Sequence, residues 1–143
     1  MRESGLLGMQ GMRVLACTVP AAVPRLRAAL PEARLQVVLT SADALEALRR
    51  EAFDLLILGM RFDESRALEF LQRIHADPTL EPLPPIVGIR GAATPVVIAP
   101  QHFDLPLWAM GACDVIDFYA VPDNEAGNRH IRERLARCAY RAR

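Results

Sequence analysis

Phe53-Asp54-Leu55-Leu56-Ile57-Leu58-Gly59-Met60 is an apolar run that closes on a glycine. Its consecutive aliphatic side chains leave no polar face. That suits a strand covered on both sides, as in a parallel sheet layered by helices. A strand is predicted over 54–58, opening into a loop at Gly59. Upstream, Arg13 to Thr18 and Leu35 to Leu39 read as further buried strands. Each is followed by helical spacing: Val23, Leu26 and Leu30 share one face, and then Ala44, Leu45 and Leu48 share the next. Pro20 and Pro24 flank the first helix's start, where proline is tolerated, and Thr40 or Ser41 caps the second.

Downstream, the spacing predicts a helix over 64–75, with Leu68, Leu71 and Ile74 inward and Asp63 as its cap. A proline-rich loop, Asp77 to Pro85, leads to a strand at Ile86–Ile89. The stretch from Gly91 to Phe103 carries an apolar patch, Val96-Val97-Ile98. A short helix from Leu105 to Gly111 and a strand at Val115–Phe118 follow. A last helix over 125–140 has Ile131, Leu135 and Cys138 inward. Five strand–helix alternations specify an α/β fold with a five-stranded parallel sheet. Residues 1–11 read as a flexible N-terminal extension, and 12–143 as one domain.

The 143 residues fit a single domain that needs no covalent or metal staple. Formal net charge is +0, which argues against general nucleic-acid or membrane-surface binding, since those need a field of one sign. No apolar run approaches the ~20 residues of a membrane span. Cys17, Cys113 and Cys138 have no CxxC spacing, and their odd count makes a disulfide framework unexpected. A reducing, cytoplasmic location is expected. All seventeen basic residues are arginine.

Four pieces in order carry a family resemblance: Met12-Arg13-Val14-Leu15, the strand FDLLIL, the segment PPIVGI, and Gly111-Ala112-Cys113-Asp114-Val115-Ile116-Asp117-Phe118. Together they resemble the receiver domain of two-component response regulators, from Met12 to about Tyr140. The resemblance implies a flavodoxin-like three-layer sandwich with strand order 2-1-3-4-5.

It also allows each chemical position to be checked. Receivers carry two acids after strand one that hold Mg²⁺, and these positions fall on Thr18 and Val19. The aspartate that accepts the phosphoryl group falls on Gly59, and the hydroxyl residue after strand four falls on Arg90. The lysine after strand five falls on Phe118, or on Val121 if Val121-Pro122 matches the family's lysine-proline. Aspartyl phosphorylation needs a carboxylate nucleophile and a metal together. The resemblance therefore implies a degenerate receiver pocket, with no catalytic, cofactor-binding or metal-binding residues.

Plainer readings stand beside these. Gly59 is either an opening for a ligand or drift to the smallest residue, and drift is favoured because no phosphate-cradling glycine loop accompanies it. Arg90 either binds an anion or, as favoured, pairs with Asp63 or Glu64. In the loop Arg61 to Arg66, Phe62 either faces a partner or folds onto the sheet edge. Trp108 either joins an exposed patch or seals the sheet. His75, His102 and His130 read as surface residues, and Cys17 as a small core residue.

The function expected is that of a non-enzymatic, phosphorylation-independent receiver-like module in two-component-type signalling. It would bind a signalling protein or a second copy of itself, and neither nucleic acid nor membrane. Trp108 and Tyr119 are its candidate apolar anchors, and Asp117, Arg132 and Arg134 its charged rim. The alternatives are a phosphorelay receiver with a relocated acidic site, or a flavodoxin-like domain binding a small anion near Arg90.

Overall fold

A computed structural model describes residues 9–91 and 102–141. The strands are β1 (Arg13–Cys17), β2 (Arg34–Val38), β3 (Leu55–Gly59), β4 (Ile86–Arg90) and β5 (Asp114–Asp117). They form one parallel sheet in the order β2-β1-β3-β4-β5. The helices are α1 (Val23–Ala29), α2 (Ser41–Arg50), α3 (Ala67–His75), α4 (Asp104–Ala109) and α5 (Glu125–Arg141).

Successive strand residues point to opposite faces, so the apolar run in β3 feeds two cores. Leu55 and Ile57 join Val14, Ala16, Leu26, Ile131 and Leu135 beneath α1 and α5. Leu56 and Leu58 join Leu15, Cys17, Leu45, Phe70, Ile74 and Leu107 beneath α2, α3 and α4. Strand positions agree with the sequence expectation to within one residue at each end. Met9 is buried in the first core, and the Gly11 amide donates to the Glu32 carbonyl, so the described chain begins inside the domain. Residues 1–8 of the expected extension and the Val96-Val97-Ile98 patch lie outside the described residues.

Two expectations are corrected. The helix predicted over 64–75 starts only at Ala67, and Asp63 does not cap it. Asp63, Glu64 and Ser65 take left-handed φ angles of 52°, 57° and 65°. Such angles cost non-glycine residues about 1–2 kcal/mol each. Two anchors offset the cost. The Phe62 side chain is fully buried edge-on to Phe70, with ring centroids 5.3 Å apart. The Asp63 carboxylate accepts from the Ser41 amide at 3.0 Å and the Ser41 hydroxyl at 2.7 Å. Asp63 thus serves the start of α2, beside Thr40, whose hydroxyl caps the Asp43 amide. These bonds hold the Asp63 carboxyl below the usual carboxylate range.

The second correction concerns the cysteines. Cys113 and Cys138 form a disulfide across 25 residues of sequence, with their Cα atoms 5.9 Å apart. The turn into β5 brings Cys113 under the end of α5. Cys17 lies in β1 in the opposite core, where burial pushes its thiol pKa far up. The odd count concealed a pair and a bystander.

Candidate functional site

In parallel sheets of this kind, ligands bind beyond the carboxyl ends of the strands where the strand order reverses, here between β1 and β3. Thr18 and Gly59 face each other at that point. Thr18 is buried, and its amide donates to the Val38 carbonyl. A Cβ placed on Gly59 would lie 3.1 Å from the Thr18 hydroxyl oxygen and 3.4 Å from the Cys17 carbonyl oxygen. Thr18, Val19, Ala22, Gly59, Met60, Arg61, Ile89 and Gly91 line a cavity of about 10 Å³ there. That is room for about one water molecule.

Arg90 leaves the end of β4 beside this cavity. Its guanidinium lies 3.5 Å from Asp104 on α4 and 3.6 Å from Asp117 on β5. The ion-pair reading of Arg90 was right in kind and wrong in partner, because the left-handed turn carries Asp63 away to Ser41. Two carboxylates beside one guanidinium disfavour a further anion.

Phe118 is buried against the backbone of Gly91, whose φ of 144° few side-chain-bearing residues adopt. Above its ring stands Arg25 of α1, with the guanidinium carbon 5.2 Å from the ring centroid. Arg25 donates to the carbonyls of Phe118 at 2.6 Å, Val121 at 2.6 Å and Pro122 at 2.8 Å. It also reaches the Asn128 side chain at 3.3 Å. One side chain therefore ties α1 to the whole β5–α5 loop. The sequence reading missed Arg25, because helical spacing marks its neighbours Val23 and Leu26 and gives no sign of carbonyls a hundred residues away. The loop packs as tightly beyond Pro122, whose carbonyl lies against the α5 backbone at Gly127 with no space for a Cβ.

The candidate interaction residues divide. Leu105, Trp108 and Tyr119 are 59%, 46% and 61% exposed on α4 and just after β5, so Trp108 does not seal the sheet. Asp117 joins this area through Arg90 and accepts from the Tyr119 amide. Arg134 is turned to the sheet, gripping Asp114 with two bonds of 2.9 and 2.7 Å and reaching the Val115 carbonyl. Arg132 points to the other side of α5, where it donates to the Ala29 carbonyl of α1. Arg132 is not part of a rim around Trp108. His75, His102 and His130 are exposed, as expected.

Solved structures share this architecture. A sensor protein from Polaromonas sp. JS666 is similar with a TM-score of 0.69 at 15% identity, over 92% of this chain and 98% of that one. A response regulator from Hahella chejuensis gives 0.65 at 19% identity, over 90% and 95%. The receiver domain of a sensor histidine kinase from Pseudomonas aeruginosa PAO1, with magnesium coordinated in its active-site cleft, gives 0.63 at 16%, over 88% and 98%. At such identities the likeness is one of fold, and the fold is the one receiver domains have. No protein-family model and no curated protein matches the sequence.

Magnesium needs several oxygen ligands in octahedral array. At the corresponding strand ends Thr18 offers one buried hydroxyl, and Val19 and Gly59 offer no side-chain oxygen. The residues present do not fit the ion. Among the described residues no group of three or more His, Cys, Asp or Glu side chains is placed to hold a metal.

Proposed function

We propose that this chain is a receiver-like module of two-component-type signalling that works without phosphorylation, through a standing contact with a protein partner. The observation that carries the reading is the seam between Thr18 and Gly59. The place where a receiver would need a carboxylate nucleophile and metal-holding acids has a hydroxyl, a valine and a glycine around about 10 Å³ of space. A relocated phosphoacceptor finds little support, because Asp63, the acid that follows β3, has its carboxylate bonded to Ser41. An anion site at Arg90 is disfavoured by Asp104 and Asp117.

The contact surface in this reading is the exposed apolar group Leu105, Trp108 and Tyr119, with Asp117 at its edge. Isolated exposed apolar residues are ordinary, but three on neighbouring elements, two of them aromatic, have the composition of an interface anchor. A second copy of the chain is the first partner to test. No helix among the described residues is long and apolar enough to cross a membrane.

Two measurements test the reading. Millimolar Mg²⁺ with beryllofluoride or acetyl phosphate should leave the melting temperature and amide NMR shifts unchanged. A saturable shift confined to residues 17–19 and 59–61 would overturn phosphorylation-independence. Light scattering at rising concentration should show a mass increase that Trp108→Ala abolishes. A strict monomer would eliminate the self-contact and leave a different protein as the partner.

A further inference from the structure

Arg90 stands between the two elements that carry the exposed apolar residues. Its guanidinium meets them through different nitrogens. Nε lies 3.5 Å from an Asp104 carboxylate oxygen, and a terminal nitrogen lies 3.6 Å from Asp117 Oδ2. Each acid adjoins a member of the patch. Asp104 opens α4 and directly precedes Leu105, with Trp108 one turn further on. Asp117 closes β5, and its other oxygen, Oδ1, accepts from the Tyr119 amide at 2.9 Å. One carboxylate therefore meets Arg90 with one oxygen and holds the single turn Phe118–Ala120 with the other. The Arg90 and Asp104 side chains are largely buried, so water screens their attraction less than at an open surface.

The patch needs such a tie. α4 has six residues, too few for a helix to be stable by itself, so tertiary contacts set its orientation. Its inward row is Phe103 and Leu107, both buried and one turn apart. Leu107 sits on Gly88 of β4 with no space for a Cβ between them. Met110 and Ala112 pack against the same core past the helix's far end. Apolar contacts strung along one line resist sliding more than rolling about that line. Asp104 projects off the line at the near end, where its pair with Arg90 opposes the roll. Rolling would swing Leu105 and Trp108 relative to Tyr119.

We propose that Arg90 is a positioning residue of the contact surface. Through Asp104 and Asp117 it sets α4 against the turn after β5, and with it the spacing of Leu105, Trp108 and Tyr119. The inference rests on the reading of these three residues as the contact surface. Anchor residues bind by fitting closely packed pockets, so a displaced Trp108 weakens the contact although Arg90 acts through its neighbours.

The test is a double-mutant cycle on the full chain, read by amide NMR at a concentration low enough for the monomer. Asp104→Asn should shift the Tyr119 amide, although the two residues belong to separate elements. In an Arg90→Met background the same substitution should leave Tyr119 unmoved. Asp117→Asn, read at the Leu105 and Trp108 amides, gives the reciprocal result and decides the matter if Arg90→Met does not fold. A Tyr119 amide indifferent to Asp104→Asn, Leu105 and Trp108 amides indifferent to Asp117→Asn, or a response that survives without Arg90 would each overturn the tie. Self-association is then followed by light scattering. Arg90→Met should weaken it about tenfold. Asp63→Asn, which loses its bonds to Ser41 on α2, should leave it unchanged and so controls for stability. Unaltered association in Arg90→Met would overturn the positioning role. A strictly monomeric parent would instead remove the self-contact reading, and the NMR cycle would still decide whether Arg90 ties α4 to the turn.

Discussion

The Arg25 guanidinium lies 5.2 Å above the Phe118 ring and donates to that residue's own carbonyl oxygen at 2.6 Å. Face and backbone of one residue are thus held by one cation. The same cation takes the Val121 and Pro122 carbonyls, so the β5–α5 loop has one supported conformation.

Arg25→Ala should lower unfolding free energy by about 3 kcal/mol, since bonds to a charged donor are worth more than neutral ones and the orphaned carbonyls lose their partner. Arg25→Lys should recover little, because one ammonium does not span three carbonyls as a planar fork does. Urea denaturation gives the magnitude, and amide exchange over 118–123 locates it. Unchanged exchange in Arg25→Ala would show that the loop stands without the clamp.

Gly59→Asp should destabilise by about 1–3 kcal/mol, because its Cβ would already lie 3.1 Å from the buried Thr18 hydroxyl oxygen and the carboxylate would enter a cavity of about 10 Å³. Mass spectrometry after acetyl phosphate and Mg²⁺ should show no phosphoryl adduct. An adduct would mean that the metal-holding groups lie elsewhere.

Gly127→Ala reverses the usual sign of a helix substitution. Alanine gains about 1 kcal/mol of helix propensity. Here its methyl would overlap the Pro122 carbonyl, and overpacking of this kind costs about 1–3 kcal/mol. Net destabilisation is expected in thermal melts, and a gain in melting temperature would contradict the close approach.

Asp63 supplies a pH dependence. Its folded-state pKa is depressed by the Ser41 hydroxyl and amide, so its contribution is complete above the ordinary carboxylate range and is lost as pH falls through the folded value. Asp77, held down by the Thr79 hydroxyl and amide, has the same sign. Asp63→Asn should therefore be less stable than the parent at pH 7, with the gap closing below about pH 4. A gap that stayed constant down to pH 3 would remove the Ser41 bonds from the account.

The sheet was legible because burial on both faces writes itself into sequence as runs such as Leu55 to Leu58, and because strand and helix alternate at short spacing. Thr18, Val19 and Gly59 could be placed at strand ends from sequence because they directly follow or close those strands. Partners were not. Arg90 was matched across the strand-end loops to Asp63 or Glu64, whereas three left-handed residues turn Asp63 toward Ser41 and leave Asp104 and Asp117 beside Arg90. No local pattern announces such a turn without a glycine. Arg25 and Arg132 each end on carbonyls about a hundred residues distant, a relationship that only the closed fold creates. The disulfide was hidden by parity.

Carboxylates gathered at strand ends repel one another, and a fold that keeps them there carries a local electrostatic penalty which a bound cation relieves. The Thr18–Gly59 seam carries no such penalty. With a buried hydroxyl, a valine and a glycine at the point where the strand order reverses, the top of the sheet can close on itself as an ordinary core. If the module works without phosphorylation as proposed, its rigidity does not depend on whichever divalent ion the surrounding solution supplies.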